Sequence, residues 1–134
     1  MKTNGILLKP DVLIEEFVPR ELHGRKEQIE QLRRCLAPAL KQRKPINALL
    51  FGPSGSGKTV TVKTVAASLG QVAFTYVNCR ERNTLYAILN VIANKLEIPG
   101  AERIDTAYKI MAIEDHLQGR PAVFVLDEVD KLQP

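Results

Sequence analysis

The sequence predicts an α/β domain built on a parallel sheet, and three observations carry that prediction. Two short, nearly continuous apolar runs, "INALLF" (46–51) and "AVFVL" (122–126), have the composition of strands buried on both faces. A third run, "VAFTYVN" (72–78), is rich in the β-branched and aromatic residues that favour strands. Between these runs, apolar residues recur at three- and four-residue spacing, as in helices that cover a sheet. Strands that alternate with helices in this way lie parallel beneath flanking helices.

Taken in chain order, residues 1–20 read as an extended, irregular segment broken at Pro10 and Pro19, and residues 21–134 as the domain. From about Arg25 a helix is expected, with Ile29, Leu32, Leu36 and Leu40 on one side and Pro38 kinking it or starting a new turn. "INALLF" follows, then the Gly/Ser-rich "GPSGSG". The next stretch, "KTVTVKTVAASL", places Val62, Val65, Ala66 and Leu69 on one helical face, with Gly70 as its stop. After the strand at 72–78, Thr84 is placed to cap a helix carrying Leu85, Ile88, Leu89, Ile92 and Leu96, ended near Pro99 and Gly100. Asp105 is placed to cap a weaker helix with Tyr108, Met111 and Leu117. "AVFVL" is the last strand.

Bulk properties exclude several classes. A chain of 134 residues is long enough for one hydrophobic core. No apolar run approaches the roughly 18 residues of a membrane span, so no membrane partner is expected. The short apolar patch near the N-terminus is followed at once by acidic residues and makes a poor secretory signal. Cys35 and Cys79 lack any CxxC spacing and read as buried free thiols in a reducing compartment, which favours the cytoplasm. His23 and His116 have no ligand cluster near them in sequence, so zinc is not expected. Net charge is +4, concentrated in 25–44, where Arg25, Lys26, Arg33, Arg34, Lys41, Arg43 and Lys44 face only Glu27 and Glu30. Such a stretch fits an anionic partner such as nucleic acid, or simply the solvated face of an amphipathic helix; charge alone does not decide.

The informative motif is "GPSGSGKT", Gly52 to Thr59, which matches G-x-x-x-x-G-K-[ST] in full. From average residue usage, two Gly, one Lys and one Ser/Thr at this spacing arise by accident in well under about 1% of chains this long. The match also lies between a predicted strand and a predicted helix, as a phosphate-binding P-loop requires. Glycines allow a tight loop whose N–H groups turn inward on phosphate oxygens, and the following helix adds its positive end. Gly52, Pro53, Ser54, Gly55, Ser56, Gly57, Lys58, Thr59 and the adjoining Val60 are therefore candidate nucleotide contacts for ATP or ADP. Lys58 is expected to reach the β- and γ-phosphates, and the Thr59 hydroxyl to ligate Mg²⁺.

"AVFVLDE" complements this loop. Asp127, at the carboxyl end of a buried strand, is placed for a Mg²⁺ carboxylate, and Glu128 beside it for orienting and deprotonating an attacking water. Apolar runs ending in acidic residues are common in turns, and the pairing with the P-loop is what gives this one weight. A glutamate that serves water favours hydrolysis over phosphoryl transfer to another substrate.

With both motifs present, the chain resembles the N-terminal part of an archaeal replication initiator of the origin-recognition and cell-division-control type, an AAA+ ATPase. The segments that carry the resemblance are "FVPRELHGRKEQIEQL", "NALLFGPSGSGKT", "VNCRERNTLYAILNVIANKL" and "VFVLDEVDKL", which span most of 17–132. It implies that 52–59 binds ATP, that Asp127 and Glu128 serve Mg²⁺ and water, and that the "VPRELHGR" segment, especially Val18, Pro19 and Arg20, lies against the adenine. Without the resemblance, that last segment reads as a Pro-broken loop. It also implies an extra helix before the strand at 122–126, which the helical patterns at 84–97 and 105–117 fit.

Such initiators continue with a sensor strand, an arginine finger, a helical lid and a winged-helix DNA reader. The resemblance therefore implies that 21–134 is a partial AAA+ domain, a truncated product or fragment, with weak or absent ATP hydrolysis. Origin DNA would be bound through the C-terminal domain of longer relatives, alongside other initiator or helicase subunits and near the nucleoid. In the resembled fold the sensor strand separates "INALLF" from "AVFVL", so both runs are expected to present sticky unpaired edges. Two other functions compete with this one: a non-catalytic ATP-dependent binding or decoy module, and a transporter-type P-loop ATPase, whose LSGGQ-like signature is missing from "EDHLQGRPAVFVLDE".

Overall fold

The computed structural model describes residues 24–133. Four helices and two strands follow one another as α1 (Lys26–Leu40), α2 (Lys58–Ala66), β1 (Ala73–Asn78), α3 (Leu85–Lys95), α4 (Thr106–Leu117) and β2 (Ala122–Asp127). Short 3₁₀ turns occupy Ala101–Arg103 and Val129–Lys131. β1 and β2 pair in parallel, in a register running from Ala73 opposite Ala122 to Asn78 opposite Asp127. The expected α/β class with parallel strands and flanking helices is what the chain adopts.

Strand alternation sorts the core into two clusters, one on each face of the sheet. Val77 and Cys79 pack with Ile88, Leu89, Ile92 and Ala93 of α3 and Ile113 of α4. On the other face, Phe74, Val123 and Val125 pack with Ile29, Leu32 and Leu36 of α1 and Val65 of α2. The sheet is thus the middle layer of three, and whatever lies at the carboxyl ends of its strands lies beside the start of α2.

The helix ends follow local chemistry. The Thr84 hydroxyl accepts from the Ala87 N–H at 3.2 Å and the Asp105 carboxylate from the Tyr108 N–H at 3.0 Å, so both expected caps form. Pro38 neither stops nor restarts α1: it stands in the last turn, where its carbonyl accepts from the Lys41 and Arg43 N–H groups. Cys79 is buried and Cys35 half-buried, both as free thiols.

Two expectations fail. In α4 the face that packs is carried by Lys109 and Ile113, whereas Tyr108 and Met111 are exposed. The fully buried Lys109 is satisfied by an unusual pair, the Asn90 side-chain carbonyl, to which its ammonium donates, and the Tyr86 ring, whose centre lies 3.7 Å away. A lysine is not read as a core residue from its sequence, so the periodicity was offset there.

The second failure is "INALLF". Residues 46–51 form no ladder strand: the Ile46 N–H donates to Cys35 O, and among the described residues no hydrogen bond joins the run to β1 or β2. Leu49 is 67% and Phe51 85% exposed, and only Leu50 packs onto the α1/α2 cluster. The apolar composition asks for burial, but a strand needs a neighbour to satisfy its backbone, and among the described residues none is adjacent. β2 has β1 on one side only, and its Phe124 and Leu126 are partly exposed in turn.

Exposure at 46–51 generates a prediction. Replacing Ile46 and Leu49 together by Ser removes apolar surface that the fold does not bury. The double variant should bind less of a hydrophobic dye and scatter less light, with its helical circular dichroism unchanged and stability within about 0.5 kcal/mol per site. Unchanged dye binding with a weakened helical signal would show instead that these side chains belong to the core.

Candidate nucleotide site

The loop from Gly52 to Gly57 closes tightly because two glycines allow it. Gly57, the N-cap of α2, has φ 84°, a left-handed conformation that an L side chain adopts only with strain. At Gly52 a Cβ would stand 2.9 Å from Ser56 Oγ, so a side chain there would force the Ser56 hydroxyl to move. Ser56 N–H donates to Pro53 O at 3.2 Å, and both the N–H and the hydroxyl of Thr61 donate to Gly57 O, at 2.9 and 2.8 Å. The loop therefore delivers the chain into α2, whose first-turn amides have no acceptor inside the helix.

Lys58 is the first residue of that helix, and its ammonium turns back over the loop. It donates to Gly52 O at 2.8 Å and Pro53 O at 2.9 Å, and stands 3.5 Å from Ser56 Oγ. Exposed loop carbonyls hold the charge, an arrangement that an anion's oxygens can replace. Arg25, just before α1, adds a second cation: its guanidinium would lie 3.8 Å from a Cβ placed on Gly57. Ser54 and Gly55 form the exposed tip of the loop, and Val60 lies half-buried in the first turn of α2.

Asp127 ends β2 beside this turn. Its Oδ2 accepts from Thr59 Oγ1 at 2.6 Å and from Tyr76 Oη at 2.5 Å, and its Oδ1 from the Glu128 N–H at 2.9 Å. Burial pushes the carboxyl's pKa up, but the Thr59 and Tyr76 hydroxyls, the Glu128 amide and the Lys58 charge outweigh it, so the net direction is down and the group is anionic. The same contact acts oppositely on Tyr76, whose phenol is raised well above its ordinary value by burial and by its bond to Asp127.

Glu128 follows in a left-handed conformation, φ 53° and ψ 45°, unusual for a non-glycine residue. Its side chain is exposed, and among the described residues no hydrogen bond holds its carboxylate. The turn throws Glu128 out of the strand line while its amide fixes Asp127.

The structure thus brings together Gly52, Pro53, Ser54, Gly55, Ser56, Gly57, Lys58, Thr59 and Val60 on one side and Asp127 and Glu128 on the other. Val18, Pro19 and Arg20 lie outside the described residues. A hydroxyl and a carboxylate in direct contact are hard oxygen donors of the kind Mg²⁺ takes, and a helix start with unpaired amides beside the Lys58 ammonium has the chemistry to take an anion such as a polyphosphate. Sequence reasoning missed Tyr76. Strand alternation puts it on the same face as Asn78, but that Asn78 stands opposite Asp127 is known only from the sheet register. Arg25 closes the "VPRELHGR" segment that the resemblance singled out.

Comparison with known proteins identifies the family. The family described as AAA domain matches residues 42–134. An ORC1-type DNA replication protein of Thermococcus onnurineus is 36% identical over 143 residues, covering 95% of this chain and 34% of its own length. An ORC1-type DNA replication protein 1 of Aeropyrum pernix is 36% identical over 141 residues, covering 95% of this chain and 35% of its own length. The solved structure of the Aeropyrum pernix ORC1 protein in complex with DNA superposes with a TM-score of 0.75 at 34% identity, over 92% of this chain and 36% of that one. The crystal structure of Cdc6p from Pyrobaculum aerophilum gives 0.79 at 28% identity, over 92% and 35%. The chain spans about a third of the length of these relatives. It belongs to the AAA domain family, and the relatives it matches there are ORC1-type DNA replication proteins.

Proposed function

We propose that this domain binds ATP or ADP together with Mg²⁺, as the nucleotide-binding part of a DNA replication initiator that acts in the cytosol at the nucleoid. The observation that carries the reading is the contact between Thr59 and Asp127, which joins the start of the P-loop helix to the acidic end of β2. In this reading Lys58 exchanges its loop carbonyls for phosphate oxygens, and the amides of the α2 first turn complete the cradle. Thr59 and Asp127 hold the cation, which when bound neutralises charge on the phosphates. Glu128, exposed beside Asp127, orients a water and accepts its proton. Adenine contacts from Val18, Pro19 and Arg20, and docking to other initiator or helicase subunits, belong to the same proposal.

Lys58 supplies the direct test. Lys58→Ala should weaken ATP binding by at least about 1.5–3 kcal/mol, the cost of a lost charge-assisted hydrogen bond. Equal affinity in the parent chain and the variant, measured by calorimetry, would remove the phosphate site from this loop.

DNA binding by this segment is proposed to be electrostatic only. Arg33, Arg34, Lys41, Arg43 and Lys44 are exposed on and just after α1, and a basic surface of this kind contacts phosphates without reading bases. Anisotropy titrations with unrelated duplexes should give equal, weak affinities that fall steeply between about 50 and 200 mM salt. One duplex sequence preferred strongly at the higher salt would show a base-reading surface that this reading lacks.

A further inference from the structure

Tyr76 stands on β1 two residues before the strand ends, opposite Val125 in the register, and shares its face with Asn78 and Asp127. That face looks toward α2. The phenol oxygen donates to Asp127 Oδ2 at 2.5 Å, the same oxygen that accepts from Thr59 Oγ1 at 2.6 Å. With the Glu128 amide on Oδ1 at 2.9 Å, the carboxylate is gripped from three elements: the neighbouring strand, the helix start and its own following turn. The ring is itself steadied from α2, where the Lys63 ammonium lies 5.3 Å from the ring centre.

The two side-chain donors differ in what else they do. Thr59 is the hydroxyl placed to meet the cation, whereas Tyr76 lies on the strand side of the carboxylate and has no such duty. A carboxylate on a cation must be aimed as well as present, and hydrogen-bonded partners behind a ligand supply that aim. We propose that Tyr76 is a positioning residue that holds Asp127 in place for the divalent cation of the nucleotide complex. This inference rests on reading the site as one for Mg²⁺ and nucleotide.

Tyr76→Phe tests it by removing one oxygen while keeping the ring and its packing. ATP binding is measured by calorimetry in EDTA and again over a Mg²⁺ titration, in the parent chain, in Tyr76→Phe, in Asp127→Asn and in the double variant. The expected result is equal ATP affinity in EDTA for the parent and Tyr76→Phe, with about a tenfold weaker apparent Mg²⁺ affinity in the variant. Asp127→Asn should lose the Mg²⁺ effect, and adding Tyr76→Phe to it should change nothing more. If Tyr76→Phe keeps the parent's Mg²⁺ dependence, this inference is overturned and the site reading stands. A parent chain that binds ATP with no Mg²⁺ dependence overturns both. An equal loss of ATP affinity with and without Mg²⁺, or a variant that no longer folds, assigns the hydroxyl to general structure and overturns the inference too.

Discussion

The contact between Thr59 Oγ1 and Asp127 Oδ2, 2.6 Å long, is the interaction on which the organisation of the site depends. It ties the first turn of α2 to the last residue of β2, so the phosphate loop and the acidic strand end are positioned by one bond rather than by two independent elements. Its acceptor is ionised, which makes it one of the stronger hydrogen bonds a protein forms. Asp127 keeps its charge in a half-buried place only because several donors together outweigh the burial that would protonate it. The negative charge so retained acts on Lys58, whose ammonium otherwise meets the Gly52 and Pro53 carbonyls and the Ser56 hydroxyl.

Everything else in the fold brings those two residues together. β1 runs beside β2 in parallel, one face of the pair buried under α1 and α2 and the other under α3 and α4. Parallel register fixes Asn78 opposite Asp127, so both strands finish at the same level, next to the N-terminus of α2. Glycine does here without strain what an L side chain does at a cost: the left-handed Gly57 turns the chain into the helix at the level of Asp127. On the far face, the buried Lys109, held by Asn90 and Tyr86, joins α4 to α3 with no acidic partner among the described residues.

Much of this was legible in the sequence, for reasons that differ by element. The loop from Gly52 to Lys58 was legible as a candidate because phosphate binding dictates both residue types and spacing, and the structure shows a tight turn leading into α2 there. Thr84 and Asp105 were read correctly as caps because an N-cap is a local interaction between residues three apart. Asp127 and Glu128 were candidates because an apolar run ends in two carboxylates downstream of that loop, and the structure sets Asp127 against Thr59. The errors came where tertiary context decides. "INALLF" has the composition of a central strand, yet composition cannot supply a neighbour, and Leu49 and Phe51 stand exposed. Ile113 and Lys109, rather than Tyr108 and Met111, carry the packed face of α4, because the partners of a buried lysine, Asn90 and Tyr86, lie on another helix. Tyr76 escaped notice because its importance depends on a residue that is adjacent only through the sheet register.

If loop and strand end form one ligand site, hydrogen–deuterium exchange with and without ATP and Mg²⁺ will register it. Exchange should slow in two segments together, the amides of 52–61 and those of 126–129, with the exposed run 46–49 unchanged. Protection confined to one of the two, or located on the α3/α4 face instead, would contradict it.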